Sequence, residues 1–277
     1  MASVQELLRA GNDLPGASAR RDTEILLCHC LEKPRAWLYT WPEKEVSPDI
    51  AQRFQQLLTE RSQGTPVAYL TGQREFWTLQ LAVNNATLIP RPETETLVAW
   101  AVELALPTAS TILDLGTGSG AIALSVASER PAWKVTAVDV SAPALMIARD
   151  NARTTGLERV IFLQSDWYEA VAGRRFNLLL GNPPYIDADD PHLNQGDVRF
   201  EPRSALVSPS GGGADLARLV VGAPAHLHEG GWLLLEHGFA QGETARELFR
   251  DAGFSNISTR RDMADHERIT GGCWHAD

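Results

Sequence analysis

The sequence predicts an α/β protein with a mostly parallel sheet, preceded by a small helical bundle and a β-hairpin. Three observations support this: apolar residues at helical spacing near the N-terminus, then an alternating stretch, then short apolar runs separated by helical segments. We therefore expect three parts. These are a helical domain at residues 1–73, a β-hairpin linker at residues 74–90, and an α/β domain at residues 91–277.

The N-terminal part carries a clear helix start. Ser47-Pro48 places a typical N-cap residue before a proline at the first helical position. Apolar residues then recur at helical spacing between Ile50 and Leu58, which predicts one buried face. With the shorter apolar runs upstream, this indicates a bundle of four or five short helices. No titratable cluster occurs there, so we expect substrate interaction and not catalysis.

The linker shows the alternation of a strand. Leu79, Leu81 and Val83 alternate with other residues, and Asn84-Asn85 offers a turn before Thr87-Leu88-Ile89. We therefore predict a hairpin whose turn lies at Asn84-Asn85.

The remaining sequence alternates strands with helices. Such alternation implies a parallel sheet with helices on both faces. The last two strands follow each other without a long helix between them, which favours an antiparallel ending. Strands are expected at residues 111–115, 134–138, 160–163, 176–180, 232–235, 255–259 and 268–273, and helices at residues 121–128 and 142–155.

Composition narrows the class of partner and the compartment. The formal net charge is −10, and a protein whose main partner is nucleic acid usually carries a basic face. No segment approaches the roughly 20 apolar residues of a membrane span, and no secretory signal is visible. We expect a cytoplasmic monomer that binds a protein substrate, without direct nucleic-acid or membrane contact.

The cysteines predict neither a disulfide framework nor a metal site. There are three, Cys28, Cys30 and Cys273, and an odd number with this spacing does not pair. Cys28 and Cys30 would point to different faces of a helix, so they cannot chelate one ion together. We therefore expect buried thiols and no metal.

The first candidate binding motif is Asp114-Leu115-Gly116-Thr117-Gly118-Ser119-Gly120, where a strand turns into a helix. Glycine at every second position lets the backbone approach a bulky ligand, and ligands bind at such strand ends. The spacing differs from the G-x-G-x-x-G pattern that cradles a pyrophosphate, and a nucleoside with an amino-acid tail needs no such cradle. A tight turn without a ligand is the alternative. The candidate ligand-binding residues are Gly116, Thr117, Gly118, Ser119 and Gly120.

Two further strand ends carry polar candidates. Asp139 ends the second strand, where a carboxylate can accept both hydroxyls of a ribose. The alternative is an N-cap for the next helix, although Ser141 can provide that cap itself. Asp166 follows the third strand and can accept a hydrogen bond from an adenine amino group, while Trp167 can cover the ring. A structural tryptophan is the alternative there.

The fourth motif, Asn182-Pro183-Pro184-Tyr185, directly follows an apolar strand. Two prolines fix two φ angles and provide no N–H, so the carbonyls of Asn182 and Pro183 are held in place. The Asn182 side chain adds an acceptor oxygen and Tyr185 an aromatic wall. This set suits a planar NH₂ group, which needs two acceptors and a surface for its π-system. The alternative is a strand that simply ends at prolines.

Taken together, these motifs resemble those of a known family. The motif of residues 114–120 together with Asn182–Tyr185 resembles the Rossmann-like, seven-stranded S-adenosylmethionine methyltransferases that act on amide or amino nitrogen. Within them the chain is similar to the peptide-chain release factor N5-glutamine methyltransferases, over nearly its whole length. The segments that carry this likeness are residues 20–27 (RRDTEILL), 74–77 (REFW), 88–95 (LIPRPETE) and 197–202 (DVRFEP).

The resemblance implies that residues 91–277 form an S-adenosylmethionine-dependent methyltransferase domain, and it implies a cofactor, a partner and site residues. The cofactor would be S-adenosyl-L-methionine, leaving S-adenosyl-L-homocysteine, and the substrate the glutamine of the Gly-Gly-Gln motif in release factors. Gly116–Gly120, Asp139, Trp167 and Asn182 would contact the cofactor, and Asn182–Tyr185 would hold the glutamine. A ribosomal-protein glutamine methyltransferase and a DNA adenine N6-methyltransferase are the alternative functions. The acidic charge disfavours the second.

Several residues near these motifs have open roles. Arg91 and Glu93 can shape the mouth of the pocket, or form a salt bridge or a helix cap. His237 ends a strand and is expected to be structural, and no catalytic histidine or cysteine is expected. Residues 186–213 are rich in Asp, Pro and Gly and could close over a docked partner.

Overall fold

The computed structural model describes residues 2–276, so the outermost residue of each predicted terminal domain lies outside the described residues. The chain forms two compact units. The first runs to Gln73 and also includes Asn194–Phe200, and the second consists of Arg74–Leu193 and the residues from Glu201 onward. None of the helices between residues 2 and 276 combines the length and the apolar character that crossing a membrane would require.

The first unit is helical, as predicted. Leu26 and Phe54 are fully buried and belong to one apolar cluster that the helices share. Ser47 occupies the predicted N-cap position, although its side chain makes no capping hydrogen bond. The α-helices of this unit within residues 2–73 are α1 (Val4–Ala10), α2 (Ala19–Leu31), α3 (Arg35–Thr40), α4 (Pro48–Ser62) and α5 (Val67–Thr71).

Ion pairs explain why Asn194–Phe200 belongs to the first unit. Arg61 Nη1 lies 2.7 Å from Asp197 Oδ1, and its Nε lies 2.8 Å from Asp22 Oδ2. Arg199 donates a hydrogen bond of 2.8 Å to the carbonyl of Gln63. A single arginine that satisfies two carboxylates fixes this segment against the helices.

The predicted hairpin is present, but the prediction of its turn at Asn84-Asn85 is wrong. It pairs β1 (Gln73–Phe76) with β2 (Leu79–Ala82) across Trp77-Thr78, and Trp77 has a positive φ of 55°. Asn84 also forms a turn, because its side chain accepts a hydrogen bond from the Ala86 N–H at 2.9 Å. No strand follows that turn, because the Ile89 N–H bonds the Glu201 carboxylate at 3.0 Å and not a neighbouring strand.

The second unit contains the predicted sheet, with the order β5-β4-β3-β6-β7-β9-β8. Neighbours from β5 to β7 are parallel, whereas β9 is antiparallel to both β7 and β8, which confirms the expected antiparallel ending. The strands are β3 (Thr111–Leu115), β4 (Lys134–Asp139), β5 (Ile161–Gln164), β6 (Phe176–Gly181), β7 (Leu227–Glu236), β8 (Phe254–Arg261) and β9 (Glu267–Trp274).

Helices cover both faces of this sheet. Alternate strand residues point to opposite faces, so Ile112 and Leu178 join one apolar cluster, and Leu113 and Leu179 join another. Helices α6 to α8 pack on the first face and α10 and α11 on the second. The helices are α6 (Glu95–Glu103), α7 (Ala121–Glu129), α8 (Ala142–Thr154), α9 (Pro209–Gly212), α10 (Ala214–Gly222) and α11 (Gly242–Asp251).

Strand order places the functional motifs side by side. From β3 the chain continues to β4 and β5 on one side, and then crosses to β6 on the other. Ligands bind where strand order reverses in this way, outside the carboxyl ends of the strands. Leu115 is paired with Val138 and Gly181, and Gly181 is paired with Leu235. The residues that follow these four therefore share one edge of the sheet.

Candidate active site

The glycine turn that follows β3 requires glycine for two reasons. Gly116 and Gly118 have φ values of 75° and 56°, which side-chain-bearing residues rarely adopt. A Cβ on Gly116 would lie 3.2 Å from the ring of Trp167, closer than most Cβ contacts. The Gly116 and Thr117 N–H groups both donate to the carbonyl of Val138 at 2.9 Å. These bonds tie the turn to the end of the neighbouring strand β4.

Asp114 supports the turn from below. Its Oδ2 accepts hydrogen bonds from the Thr117 hydroxyl at 2.6 Å and from the Ala123 N–H at 3.2 Å. The side chain is fully buried, and burial raises the pKa of Asp114 to about 7. Its Oδ1 has no hydrogen-bond partner among the described residues. Asp114 therefore fixes the strand to the first turn of α7 and holds a proton more readily than an exposed carboxyl.

Asp139 lies at the end of β4 and joins two turns. Its Oδ2 accepts from the Gly118 N–H and its Oδ1 from the Ser141 N–H, both at 2.8 Å. Ser141 also caps α8 by accepting from the Ala144 N–H at 3.2 Å, as the sequence suggested. Burial raises the pKa of Asp139. The carboxylate thus orders the glycine turn while it remains part of the pocket wall.

Asp166 and Trp167 line the same pocket with partners that the sequence did not reveal. Asp166 Oδ1 forms an ion pair with Arg218 Nη1 at 2.7 Å. Trp167 has a positive φ of 49°, and its Nε1 donates to Asp215 Oδ1 at 3.3 Å. These contacts keep the tryptophan ring beside the glycine turn.

Asn182 follows β6 and lies on the pocket wall together with Pro184. Its Nδ2 donates a hydrogen bond of 3.2 Å to the hydroxyl of Thr94. Pro183 is buried, and neither it nor Tyr185 belongs to the lining residues. The Tyr185 hydroxyl lies 3.5 Å from Glu236 Oε1, and burial raises the pKa of Tyr185. Alternate residues of this motif therefore face different surroundings.

The structure collects most of the predicted site residues around one pocket of about 310 Å³. This volume lies at the lower end of the range for small-molecule sites, about 300–1,000 Å³. Gly120 is the predicted glycine that does not line it, and instead serves as the N-cap of α7 with a φ of 86°. The predicted residues that do line it are Gly116, Thr117, Gly118, Ser119, Asp139, Asp166, Trp167, Asn182 and Pro184.

Sequence reasoning missed the polar residues beneath Asn182. Thr94 also lines the pocket, and its hydroxyl donates to the buried Glu236 carboxylate at 2.7 Å. Burial raises the pKa of Glu236 to about 7. The sequence did point to Glu236. It ends the apolar strand β7 beside β6, and an ionisable group at that position faces the edge of the sheet where ligands bind. Thr94 had no comparable signal, because the segment around it, residues 88–95, shows neither helical nor strand periodicity.

Two of the residues with open roles, Arg91 and His237, have partners in the structure. Arg91 lines the pocket and also pairs with the buried Glu201, so its predicted pocket role and its salt bridge occur together. His237 is buried between the Thr270 hydroxyl and the Gly238 carbonyl, each 2.9 Å away, and burial lowers the pKa of His237. In the part of the chain that the structure describes, no three His, Cys, Asp or Glu residues are grouped to hold a metal.

Comparisons with known proteins agree with this architecture. Two family models match the chain: the PrmC N-terminal domain over residues 5–72, and the methyltransferase small domain over residues 95–199. The release factor glutamine methyltransferase of Shewanella oneidensis is 51% identical over 257 residues, covering 93% of this chain and 90% of that protein. The release factor glutamine methyltransferase of Aliivibrio fischeri is 46% identical over 276 residues, covering 99% and 96%.

Among solved structures, a methyltransferase from Pyrococcus furiosus matches with a TM-score of 0.56 and 17% identity. The match covers 80% of this chain and 98% of that one. At this identity the likeness shows the fold alone, and it confirms the predicted methyltransferase sheet.

Proposed function

The chain belongs to the release factor glutamine methyltransferase family, and we propose that its pocket brings S-adenosylmethionine together with the glutamine of a release factor's Gly-Gly-Gln motif. The chain is an S-adenosylmethionine-dependent protein-glutamine methyltransferase. The finer proposal concerns which residues bind each reactant. The observation that carries it is the position of Asn182, whose side chain shares one pocket with the glycine turn and Asp139.

The residues at the β3 and β4 ends fit a nucleoside with an amino-acid tail. The glycine turn leaves room for close backbone approach, and Asp139 places a carboxylate where ribose hydroxyls can donate to it. Trp167 offers a ring face against the turn, and Asp166 an acceptor for an amino group. These carboxylates and this aromatic ring match the groups of S-adenosylmethionine, which supplies an electrophilic methyl group when bound.

The end of β6 fits the acceptor amide. Paired residues Leu115 and Gly181 precede the glycine turn and Asn182, and neighbouring strands are about 4.8 Å apart, so the two motifs lie beside each other. The Asn182 side-chain oxygen is an acceptor for one N–H of the glutamine amide. We assign the second N–H to the Pro183 carbonyl: the Pro183 ring is buried, but this carbonyl is bonded to the nitrogen of the pocket-lining Pro184, and the two prolines bring no N–H of their own to the site.

Such acceptors address the main difficulty of the reaction. An amide nitrogen is a poor nucleophile because its lone pair is delocalised into the carbonyl. Hydrogen bonds from both N–H groups to fixed acceptors aim the nitrogen and increase its electron density. Positioning of this kind can contribute up to ~7–11 kcal/mol in favourable cases. Neither Asn182 nor a backbone carbonyl is a base, so the amide proton leaves to water.

Methyl transfer with defined substrates tests this function. The enzyme is incubated with methyl-labelled S-adenosylmethionine and one of three acceptors: a release factor, the same factor with its Gly-Gly-Gln glutamine replaced by alanine, or adenine-containing DNA. We expect label on the unaltered release factor alone. Peptide mass analysis then locates the methyl group on the glutamine side chain.

Two results would overturn the proposal. Equal labelling of both release factors would place the methyl group on another residue. Label on DNA would favour adenine N6 methylation, since adenine also offers a planar NH₂ to an acceptor pair.

A further inference from the structure

Three polar side chains form a chain of hydrogen bonds that leads away from the pocket. Asn182 Nδ2 donates to Thr94 Oγ1 at 3.2 Å, and Thr94 Oγ1 donates to Glu236 Oε2 at 2.7 Å. Thr94 and Glu236 are buried, with 4% and 1% of their surface exposed, whereas Asn182 is only partly buried. The chain of bonds thus connects the pocket wall to a carboxyl in the interior.

Counting protons fixes the direction of both bonds. A carboxylate only accepts hydrogen bonds, and a threonine hydroxyl has a single proton to donate. If Thr94 gives that proton to Glu236, its oxygen can only accept from Asn182. The amide of Asn182 must then turn its NH₂ toward Thr94. Its Oδ1 is left on the other side, where it accepts no hydrogen bond from residues 2–276.

We propose that Thr94 and Glu236 are positioning residues that hold the Asn182 amide with its oxygen directed at the nitrogen of the substrate. This inference rests on the proposed function, in which Asn182 receives a glutamine amide. A side-chain amide rotated by 180° would instead present two N–H donors to the NH₂ group of the substrate. Two donors cannot pair, so the rotated form would not bind the amide productively.

The relay depends on the charge of Glu236. Burial raises the pKa of this carboxyl to about 7; Glu93 also raises it, and Arg268 and the Tyr185 and Thr94 hydroxyls oppose the rise. Protonated Glu236 can donate as well as accept, so it no longer forces the Thr94 proton in one direction. The orientation of Asn182 is therefore enforced above the pKa of Glu236 and relaxed below it.

Thr94→Val tests the relay, because valine keeps the shape and removes the hydroxyl. We expect kcat for the release factor to fall about 10–100-fold, the scale of a lost hydrogen bond to a charged group, with the Kd for S-adenosylmethionine changed less than about threefold. Thr94→Ser should restore kcat to within about threefold of wild type. The matched control is Thr136→Val, which removes a buried hydroxyl on β4 that bonds Arg174 and should leave kcat unchanged.

The pH profile separates positioning from packing. Wild-type kcat should rise with pH through about 7 as Glu236 ionises. Both Thr94→Val and Glu236→Gln should lose this rise. Thr94→Val lacks the hydroxyl that donates to the carboxylate, and Glu236→Gln lacks the carboxyl group that ionises. Carbon-13 NMR of labelled glutamate side chains should show a carboxyl that titrates near 7 in wild type and is missing in Glu236→Gln.

The outcomes distinguish this inference from the proposed function. Wild-type kcat and an unchanged pH rise in Thr94→Val would overturn the relay, and so would a retained rise in Glu236→Gln. Failure of the wild-type enzyme to methylate the release factor would overturn the proposed function instead. If Thr94→Val does not fold, the pH profile and NMR spectrum of Glu236→Gln decide the question.

Discussion

The two ends of the pocket are built in different ways. The glycine-turn end takes its form from consecutive residues and backbone hydrogen bonds, with Asp139 joining the Gly118 and Ser141 N–H groups. The amide end depends on side chains that are remote in sequence. Asn182 lies 88 positions from Thr94, and Thr94 lies 142 positions from Glu236. Both ends need neighbouring strands, but Asp139 lies only 21 positions from Gly118, so the glycine-turn end is built over a much shorter stretch of the chain.

This difference has a consequence for function. A locally built turn presents a fixed surface to a ligand, so damage to it should mainly weaken binding. A relay of side chains sets the direction of a single acceptor, so damage to it should mainly slow the reaction. Binding and rate measurements on variants of each end can test whether this division holds.

The largest effect is expected for Asn182→Ala. Removing the acceptor that holds the substrate nitrogen should lower kcat about 100–1,000-fold, the scale found when one stabilising group of an oxyanion hole is lost. Affinity for S-adenosylmethionine should fall much less, although Asn182 also lies near the proposed cofactor position. Single-turnover methylation of the release factor gives the rate, and calorimetry gives the affinity.

Asn256→Gly is the control for that variant, since it removes an exposed amide from β8 at a positive φ of 51° that glycine adopts readily. It should retain wild-type kcat. If Asn182→Ala kept kcat within about threefold of wild type, Asn182 would not hold the reacting nitrogen.

The glycine-turn end should respond in the opposite way to Asp139→Asn. The new NH₂ group must face either the Gly118 or the Ser141 N–H, where it cannot accept a hydrogen bond. We expect the Kd for S-adenosylmethionine to rise about 10–100-fold, with kcat at saturating cofactor within about threefold of wild type. Calorimetry and saturation kinetics measure the two quantities.

Asp150→Asn provides the matched control for this change. Asp150 lies on α8, the helix that follows Asp139, but its carboxylate is exposed and forms an ion pair with the exposed Arg153. The Kd of Asp150→Asn for S-adenosylmethionine should equal that of wild type. The proposed division between the two ends would be wrong if Asp139→Asn lowered kcat at saturating cofactor and left the Kd unchanged.

Much of the fold followed from the sequence because its signals are local. The strands at Thr111–Leu115 and Phe176–Gly181 were predicted within one residue, since buried parallel strands are short apolar runs. The hairpin turn was misplaced because Asn84-Asn85 is the stronger turn signal in sequence. The actual turn uses Trp77 with a positive φ, and a hydrogen bond from its N–H to the distant Glu95 supports that conformation.

The site was predictable to the extent that its residues follow strands. The glycine turn, Asp139 and Asn182 stand at strand ends, where the register of a parallel sheet brings them together. Thr94 and Arg218 reach the pocket from a short 3₁₀ helix and an α-helix, at positions that no periodic pattern reveals. Tyr185 is the opposite case. Its motif predicts a pocket wall, but Tyr185 is not a lining residue of the pocket and its hydroxyl faces Glu236.

The smallest expected effect concerns stability at the amide end. Glu236 has a pKa of about 7 in the folded chain, against about 4.5 when it is exposed in the unfolded chain. Between these values the folded chain binds more protons, so the free energy of unfolding falls as the pH rises. For one such group the fall between pH 6 and pH 8 is about 1 kcal/mol. Urea unfolding of wild type and Glu236→Gln at both pH values measures it.

The difference between the two proteins isolates Glu236, because Asp114 is raised to a similar pKa and contributes equally to both. Glu236→Gln should therefore lose less stability than wild type as the pH rises. Equal losses would show that Glu236 does not titrate in this range, and the pH rise in kcat would then need another group. If the losses differ as expected, the ionisation that orients Asn182 also destabilises the fold. The amide end would then trade stability for the direction of one acceptor.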